Sequence, residues 1–221
     1  MKLIFNALIK FIMGLILVGM LLFVPAGTVR FSGAWIFISL LFIPMLLLGV
    51  ILLFKAPKLL EKRLDGKEKE STQKGVVAFS ALIFLAGFVV SGLDFRFGWS
   101  KVPTAVVITA SVLFLLSYGL YAEVMRENAY LSRTIAVQDG QNVIDTGLYG
   151  IVRHPMYMAT ILLFLMIPLI LGSWYGFIVF SAYPFVIAVR IKDEEKILIA
   201  QLDGYAEYTK KVKYRIITFI W

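Results

Sequence analysis

Six runs of apolar residues, at about 3 to 24, 33 to 54, 75 to 92, 103 to 123, 155 to 172 and 174 to 191, limit what this 221-residue chain can become. Most approach the roughly 20 residues with which a helix crosses the hydrocarbon of a bilayer. With 60% hydrophobic residues, 16% charged residues and a mean hydropathy of +0.87, the chain is too apolar for an ordinary soluble domain. The first run could pass for a signal peptide ending near Ala26, but it exceeds the roughly 7 to 15 apolar residues of such a core, and Lys10 interrupts it. It reads as a retained span. The expectation is therefore an all-α integral membrane protein of about six transmembrane helices, forming a single membrane domain over 1–221. Residues 1–124 would supply four spans, and 125–221 a cofactor-binding loop, a tight helical hairpin and an amphipathic carboxy-terminal helix.

Lysine and arginine orient these spans. Connections on one set of sides hold 19 of them and the alternate set holds 3, so the positive-inside rule assigns both termini and the 55–74 and 124–154 loops to the cytoplasm. Trp35, Trp99 and Trp174 then fall together at the outer interface, where aromatic belts lie. The net charge of +8 is explained by topology, and no nucleic-acid motif accompanies it. With no cysteine and one histidine, disulfides and a zinc or haem centre are not expected.

Between the spans, 55–74 mixes both charge signs with a few leucines and reads as a solvated loop in preference to a short surface helix. Asp94 and Arg96 form an ion-pair candidate in the outer loop. Residues 134–137 and 142–145 read as two short strands around the turn Gln138-Asp139-Gly140-Gln141, a small cytosolic lid.

Polar chemistry concentrates in Gly147 to Tyr157, which contains the chain's one histidine, His154. Pro155 pushes His154 out of the helical region and suits the first turn of a helix, so Arg153 and His154 stand where a helix begins and anions are attracted. The fifth and sixth runs are joined by about three residues, Gly172 to Trp174, and must form an antiparallel hairpin. That brings Arg153 and His154, at the start of one limb, close to Arg190, Glu194 and Glu195 at the end of the other. Pro184 should kink the second limb and free a carbonyl. Tyr205 and Tyr208 follow one turn apart on an amphipathic stretch from Asp193 to Val212, with a break expected at Gly204. Arginine and a helix start suit a carboxylate or phosphate, paired glutamates suit a ribose diol or an ammonium, and Tyr149 or Tyr157 could flank an aromatic ring. The alternative is an interhelical salt-bridge cluster.

Arg153-His154-Pro155-Met156-Tyr157, preceded by Thr146-Gly147-Leu148-Tyr149 and followed by Asp193-Glu194-Glu195 and by Tyr205 and Tyr208, resembles the isoprenylcysteine carboxyl methyltransferase family from about Asn128 onward. The resemblance implies a membrane methyltransferase that binds S-adenosylmethionine from the cytosol, with Gln138, Tyr149, Arg153, His154, Tyr157, Glu194, Glu195, Tyr205 and Tyr208 around the cofactor. Arg190 and Glu195 would then be catalytic, Arg190 orienting a carboxylate acceptor. The implied acceptor is a lipophilic small molecule or lipidated group such as a prenylated cysteine, reached through membrane lipid; no metal or nucleic acid is implied. A phospholipid N-methyltransferase and an NADPH-dependent membrane sterol or enone reductase are the alternatives. The chain departs from the family pattern at Leu148, where the family has proline, at Leu202-Asp203-Gly204 in place of Phe-Gly, and near Thr218, where a terminal proline is missing.

Overall fold

A computed structural model describes residues 2–64, 71–131 and 137–221. Among them the regular structure is helical throughout. The helices α1 (Lys2–Ala26), α2 (Ser32–Lys55), α4 (Ser71–Phe97) and α5 (Thr104–Glu127) correspond to the first four apolar runs, and α3 (Pro57–Leu64) is a short helix between α2 and α4. A single 3-10 turn (Gly147–Gly150) precedes α6 (Pro155–Ile170), and the second limb of the hairpin is α7 (Trp174–Phe180) followed by α8 (Tyr183–Gln201). The chain closes with α9 (Tyr205–Lys211) and an irregular tail whose last residues, 215–221, turn back on themselves.

Five helical stretches are long and apolar enough to cross a membrane, α7 and α8 counting as one. The fifth run departs from expectation. Its helix, α6, has 16 residues, or about 24 Å at 1.5 Å per residue, which is short of a full crossing. Pro155 fixes its start, and the chain leaves the helix at Leu171 and turns at Gly172, whose φ of +80° suits glycine. The turn is stapled where Ser173 N–H donates to the Pro168 carbonyl at 2.9 Å. The disturbance expected at Pro184 is a two-residue turn at Ser181–Ala182 that keeps helical backbone angles, because proline has no N–H to offer the Phe180 carbonyl.

One end of the bundle gathers three connections. Asp94, 1% exposed, accepts from Ser100 N–H at 2.7 Å, from Ser100 Oγ at 2.6 Å and from Ser173 Oγ at 2.5 Å. The expected pairing with Arg96 is not formed: Arg96 lies over the Phe97 ring and against Gly27. Hydroxyls reach a buried carboxylate at the base of the loop, whereas the long arginine side chain finds aromatic surface nearby. Trp174 joins the same junction, its N–H donating to Ser100 Oγ and its indole to the Lys101 carbonyl.

At the opposite end, the part of the 55–74 connection that directly follows α2 is the helix α3 and not a solvated loop, and 65–70 lie outside the described residues. Leu59 and Leu60 are buried, and Leu59 packs with Val124, Met125, Leu131 and Tyr149. Its apolar side decides the matter, because Leu59 covers the end of α5. Of the two expected strands, the 142–145 segment is described and is irregular, and 134–136 lie outside the described residues. The turn between them exists, with Gln141 N–H donating to the Gln138 carbonyl and Gly140 at φ +69°.

The core is a layer of aromatic rings, with Phe37, Phe88, Phe114 and Phe180 buried and Phe84 touching Phe88, Phe164, Phe180 and Tyr183. Without a strong hydrophobic drive between helices in lipid, such packing and close approach hold the bundle. Gly92 on α4 is one such approach, since a Cβ there would meet the Leu22 carbonyl at 2.9 Å and the Ala26 nitrogen at 3.2 Å, backbone that cannot step aside. Gly119 on α5 has open space around it. Gly92→Ala is therefore expected to cost about 1–3 kcal/mol and lower the thermal unfolding midpoint in detergent, with Gly119→Ala leaving it unchanged or slightly raised. Equal midpoints for the two variants would contradict the α1–α4 packing.

Candidate functional site

The site is assembled where the start of α6, the end of α8 and the tail meet. His154 precedes α6 with φ −127° and ψ 59°, off the helical region as the following proline requires, and Pro155 occupies the first turn. The anion drawn to this helix start is the chain's own Glu195. Its Oε1 accepts from Arg153 Nε at 2.7 Å and lies 3.2 Å from His154 Nε2, and its Oε2 accepts from Arg215 Nε at 2.7 Å. A carboxylate can only accept, so the His154 ring carries its proton on Nε2 in this contact. Glu195, Arg153 and His154 are 4%, 8% and 6% exposed, so the ion pairs are shielded from water.

The same arginine reads the tail. Arg153 Nη1 donates to the carbonyls of Val212 at 2.7 Å and Lys213 at 2.8 Å, and the backbone N–H groups of Arg153 and His154 donate to the Tyr214 and Arg215 carbonyls at 2.9 and 2.8 Å. Arg215 also stacks over the Trp221 ring. The tail is thus strapped across the mouth of the hairpin.

Beside this clasp opens a cleft with about 850 Å³ free of protein atoms, counting its open mouth. One wall carries a polar relay in which Arg190 Nε donates to Tyr157 Oη at 2.9 Å and Tyr157 donates to Glu194 Oε2 at 2.5 Å. Arg190 is itself buried. Asn128, Gln141 and Asn142 bring amides to the rim, and Tyr149, Tyr157, Tyr205 and Tyr208 bring aromatic faces. Asn128 Nδ2 donates to Tyr149 Oη at 3.0 Å, and Tyr208 Oη donates to the Tyr149 carbonyl at 2.7 Å. Burial pushes the Tyr205 and Tyr208 phenols well above their ordinary range, the Glu195 charge adding to it at Tyr205, so both remain neutral donors.

The 3-10 turn is placed by Gly147, at φ +51°, where a Cβ would fall 1.9 Å from Glu127 Oε2. Thr146 Oγ1 donates to the other oxygen of Glu127 at 2.7 Å. Leu148, where the family pattern has proline, packs with Leu59 and Tyr149 in the small cluster under α3.

Of the residues singled out from sequence, Tyr149, Arg153, His154, Tyr157, Arg190, Glu194, Tyr205 and Tyr208 line one cleft. Glu195 adjoins it but faces the clasp, and Gln138 lies outside the lining, its amide donating to the Tyr130 carbonyl. Sequence reasoning missed Asn128, Gln141, Asn142 and Arg215. Nothing in the local pattern of Tyr214-Arg215-Ile216 marks its arginine as a partner of a glutamate twenty residues earlier. Among the described residues, no group of three or more His, Cys, Asp or Glu side chains is arranged to hold a metal ion.

Residues 104–200 match the model of the isoprenylcysteine carboxyl methyltransferase (ICMT) family. This segment is ICMT-like. The resemblance carried by the Arg-His-Pro-x-Tyr motif therefore holds over α5, the loop after it, and α6 to α8. No curated protein matches the chain. The ICMT family is one of membrane carboxyl methyltransferases, which agrees with the apolar helices of this integral membrane protein. The ICMT match stops at residue 200, one position before the end of α8, so the clasped tail lies beyond it.

Because Glu195 holds three positively disposed groups in a buried position, Glu195→Gln is expected to destabilise the ligand-free protein by on the order of 3 kcal/mol. The exposed pair of Lys211 and Asp145 lies 2.6 Å apart and is a natural control; Lys211→Ala should change little. Thermal unfolding in detergent, with limited proteolysis of the 212–216 tail, distinguishes the two.

Proposed function

We propose that the protein transfers a methyl group from S-adenosylmethionine to the carboxylate of a lipophilic acceptor, a prenylated cysteine or analogue, at the cytoplasmic face of the membrane. The observation that carries this reading is the buried Arg190–Tyr157–Glu194 relay on the wall of a cleft within the ICMT-like segment. The excess of lysine and arginine at the cleft end of the bundle supports the cytoplasmic assignment.

The cleft residues fit the cofactor's chemistry. Its aromatic walls suit a purine, the Glu194 carboxylate suits a ribose diol or an ammonium, and the amides of Asn128, Gln141 and Asn142 offer donors and acceptors to the remaining polar atoms. S-adenosylmethionine, when bound, supplies an electrophilic methyl on a sulfonium. Arg153 and His154, through Glu195, fix the start of α6 against the tail and so hold the wall on which Tyr157 stands.

Arg190 is the group we assign to the acceptor. Its Nε is held by Tyr157, whose own proton is directed at Glu194, so the guanidinium is oriented before an acceptor arrives. A carboxylate meeting that cation needs no general base, because it is already ionised at neutral pH. The chain's contribution is alignment of nucleophile and methyl, with exclusion of water from a cleft bounded by Leu198, Leu202 and Met156. A phospholipid amine is protonated at neutral pH and must lose a proton before it can attack, whereas a carboxylate need not, which favours carboxyl over phospholipid amine methylation.

Purified protein is expected to transfer labelled methyl from S-adenosylmethionine to prenylated cysteine carboxylates and not to phosphatidylethanolamine. Arg190→Lys should lower kcat/KM for the acceptor by on the order of 10²-fold, because an ammonium cannot reproduce the forked guanidinium, while the affinity for S-adenosylhomocysteine stays within about twofold. Binding of NADPH with no binding of S-adenosylhomocysteine would overturn the methyltransferase reading.

A further inference from the structure

The two tyrosines of α9 are one turn apart, both are buried and both face the cleft, yet their hydroxyls are in different situations. Tyr208 Oη donates to the Tyr149 carbonyl at 2.7 Å and thereby ties α9 to the 3-10 turn. Tyr205 is 4% exposed and lines the same cleft, and among the described residues its hydroxyl has no hydrogen-bond partner. A buried O–H left unmatched costs about 1–3 kcal/mol relative to one that is satisfied or in water. Its ring is nevertheless held firmly, packed against Tyr208 at 5.5 Å between centroids and against Leu202 and Val212.

From this we infer that Tyr205 is the donor that reads a neutral hydrogen-bond acceptor on the nucleoside half of the bound cofactor, while Tyr208 is a strut that positions the segment. The inference rests on the methyltransferase reading above. The acceptor is neutral because the Glu194 carboxylate lines the same cleft as Tyr205, whereas Glu195 faces Arg153, His154 and Arg215, and an anionic ligand group placed there would meet a like charge. A purine nitrogen or a ribose oxygen avoids that repulsion, and it would receive a buried donor that, among the described residues, has no partner. Removing the hydroxyl should therefore weaken ligand binding without weakening the empty protein. That combination separates a ligand-reading group from a structural one.

The test uses the full chain in detergent micelles. Wild type, Tyr205→Phe and Tyr208→Phe are each titrated calorimetrically with S-adenosylhomocysteine and with adenosine, and their thermal midpoints are measured without ligand. For Tyr205→Phe the expected result is an unchanged or raised midpoint together with an affinity about fivefold to tenfold lower for both ligands. For Tyr208→Phe the midpoint should fall, because the buried Tyr149 carbonyl loses its donor. Wild-type affinity in Tyr205→Phe, or a midpoint that falls as in Tyr208→Phe, overturns the assignment of Tyr205 while leaving the methyltransferase reading intact. A loss confined to S-adenosylhomocysteine, with adenosine binding unaltered, overturns the nucleoside assignment. Failure of the wild type to bind either ligand removes the parent reading and this inference with it.

Discussion

Everything at the functional end of this protein depends on one carboxylate. Glu195 stands near the end of α8, yet the groups that surround it come from the start of α6 and from the tail. Three segments thus converge on one buried anion, and backbone hydrogen bonds from Arg153 and His154 to the tail hold two of them in register. Such a centre is costly to desolvate, and it persists because both carboxylate oxygens are matched by donors. The tail and the two hairpin limbs then frame a cleft whose polar wall, Arg190 through Tyr157 to Glu194, lies immediately alongside. The clasp gives the cleft its shape, and the relay gives it a polar wall.

The opposite end shows the same economy with neutral donors. Asp94 collects two serine hydroxyls and an amide, and so joins the loop after α4 to the hairpin turn. The hairpin is accordingly held at its tip by one carboxylate and at its open end by another. Between them, α7 packs close to α4, where Gly87 and Gly176 leave room, and α8 carries the hairpin on to the cleft.

Much of this was legible in the residues alone, for physical reasons. Apolar runs long enough for a bilayer leave a chain little choice but helix, and a three-residue link between two of them fixes an antiparallel hairpin. From that hairpin, the approach of Arg153 and His154 to Glu194 and Glu195 follows by length. What could not be read depended on contacts distant in sequence. Leu59 looks like a residue of a charged loop until the end of α5 is seen to need covering. Asp94 has Arg96 two residues away, and nothing local indicates that Ser173 will arrive instead. Arg215 and the unequal hydroxyls of Tyr205 and Tyr208 are likewise products of tertiary placement, since the two tyrosines occupy equivalent positions in the pattern.

The way Arg153 and His154 grip the tail has a consequence for how this region can change over time. Four of the contacts that fasten residues 212–215 are made to main-chain carbonyls, which every amino acid supplies alike. Only Arg215 is engaged through its own charged group at Glu195, with Val212 and Ile216 contributing buried apolar surface. A strap fastened by its backbone is nearly indifferent to its lettering. Lys213 and Tyr214 are free to drift, and the tail can keep its docking although it lacks the terminal proline of the family pattern. Divergence can accumulate in the strap while the lock that holds it stays the same.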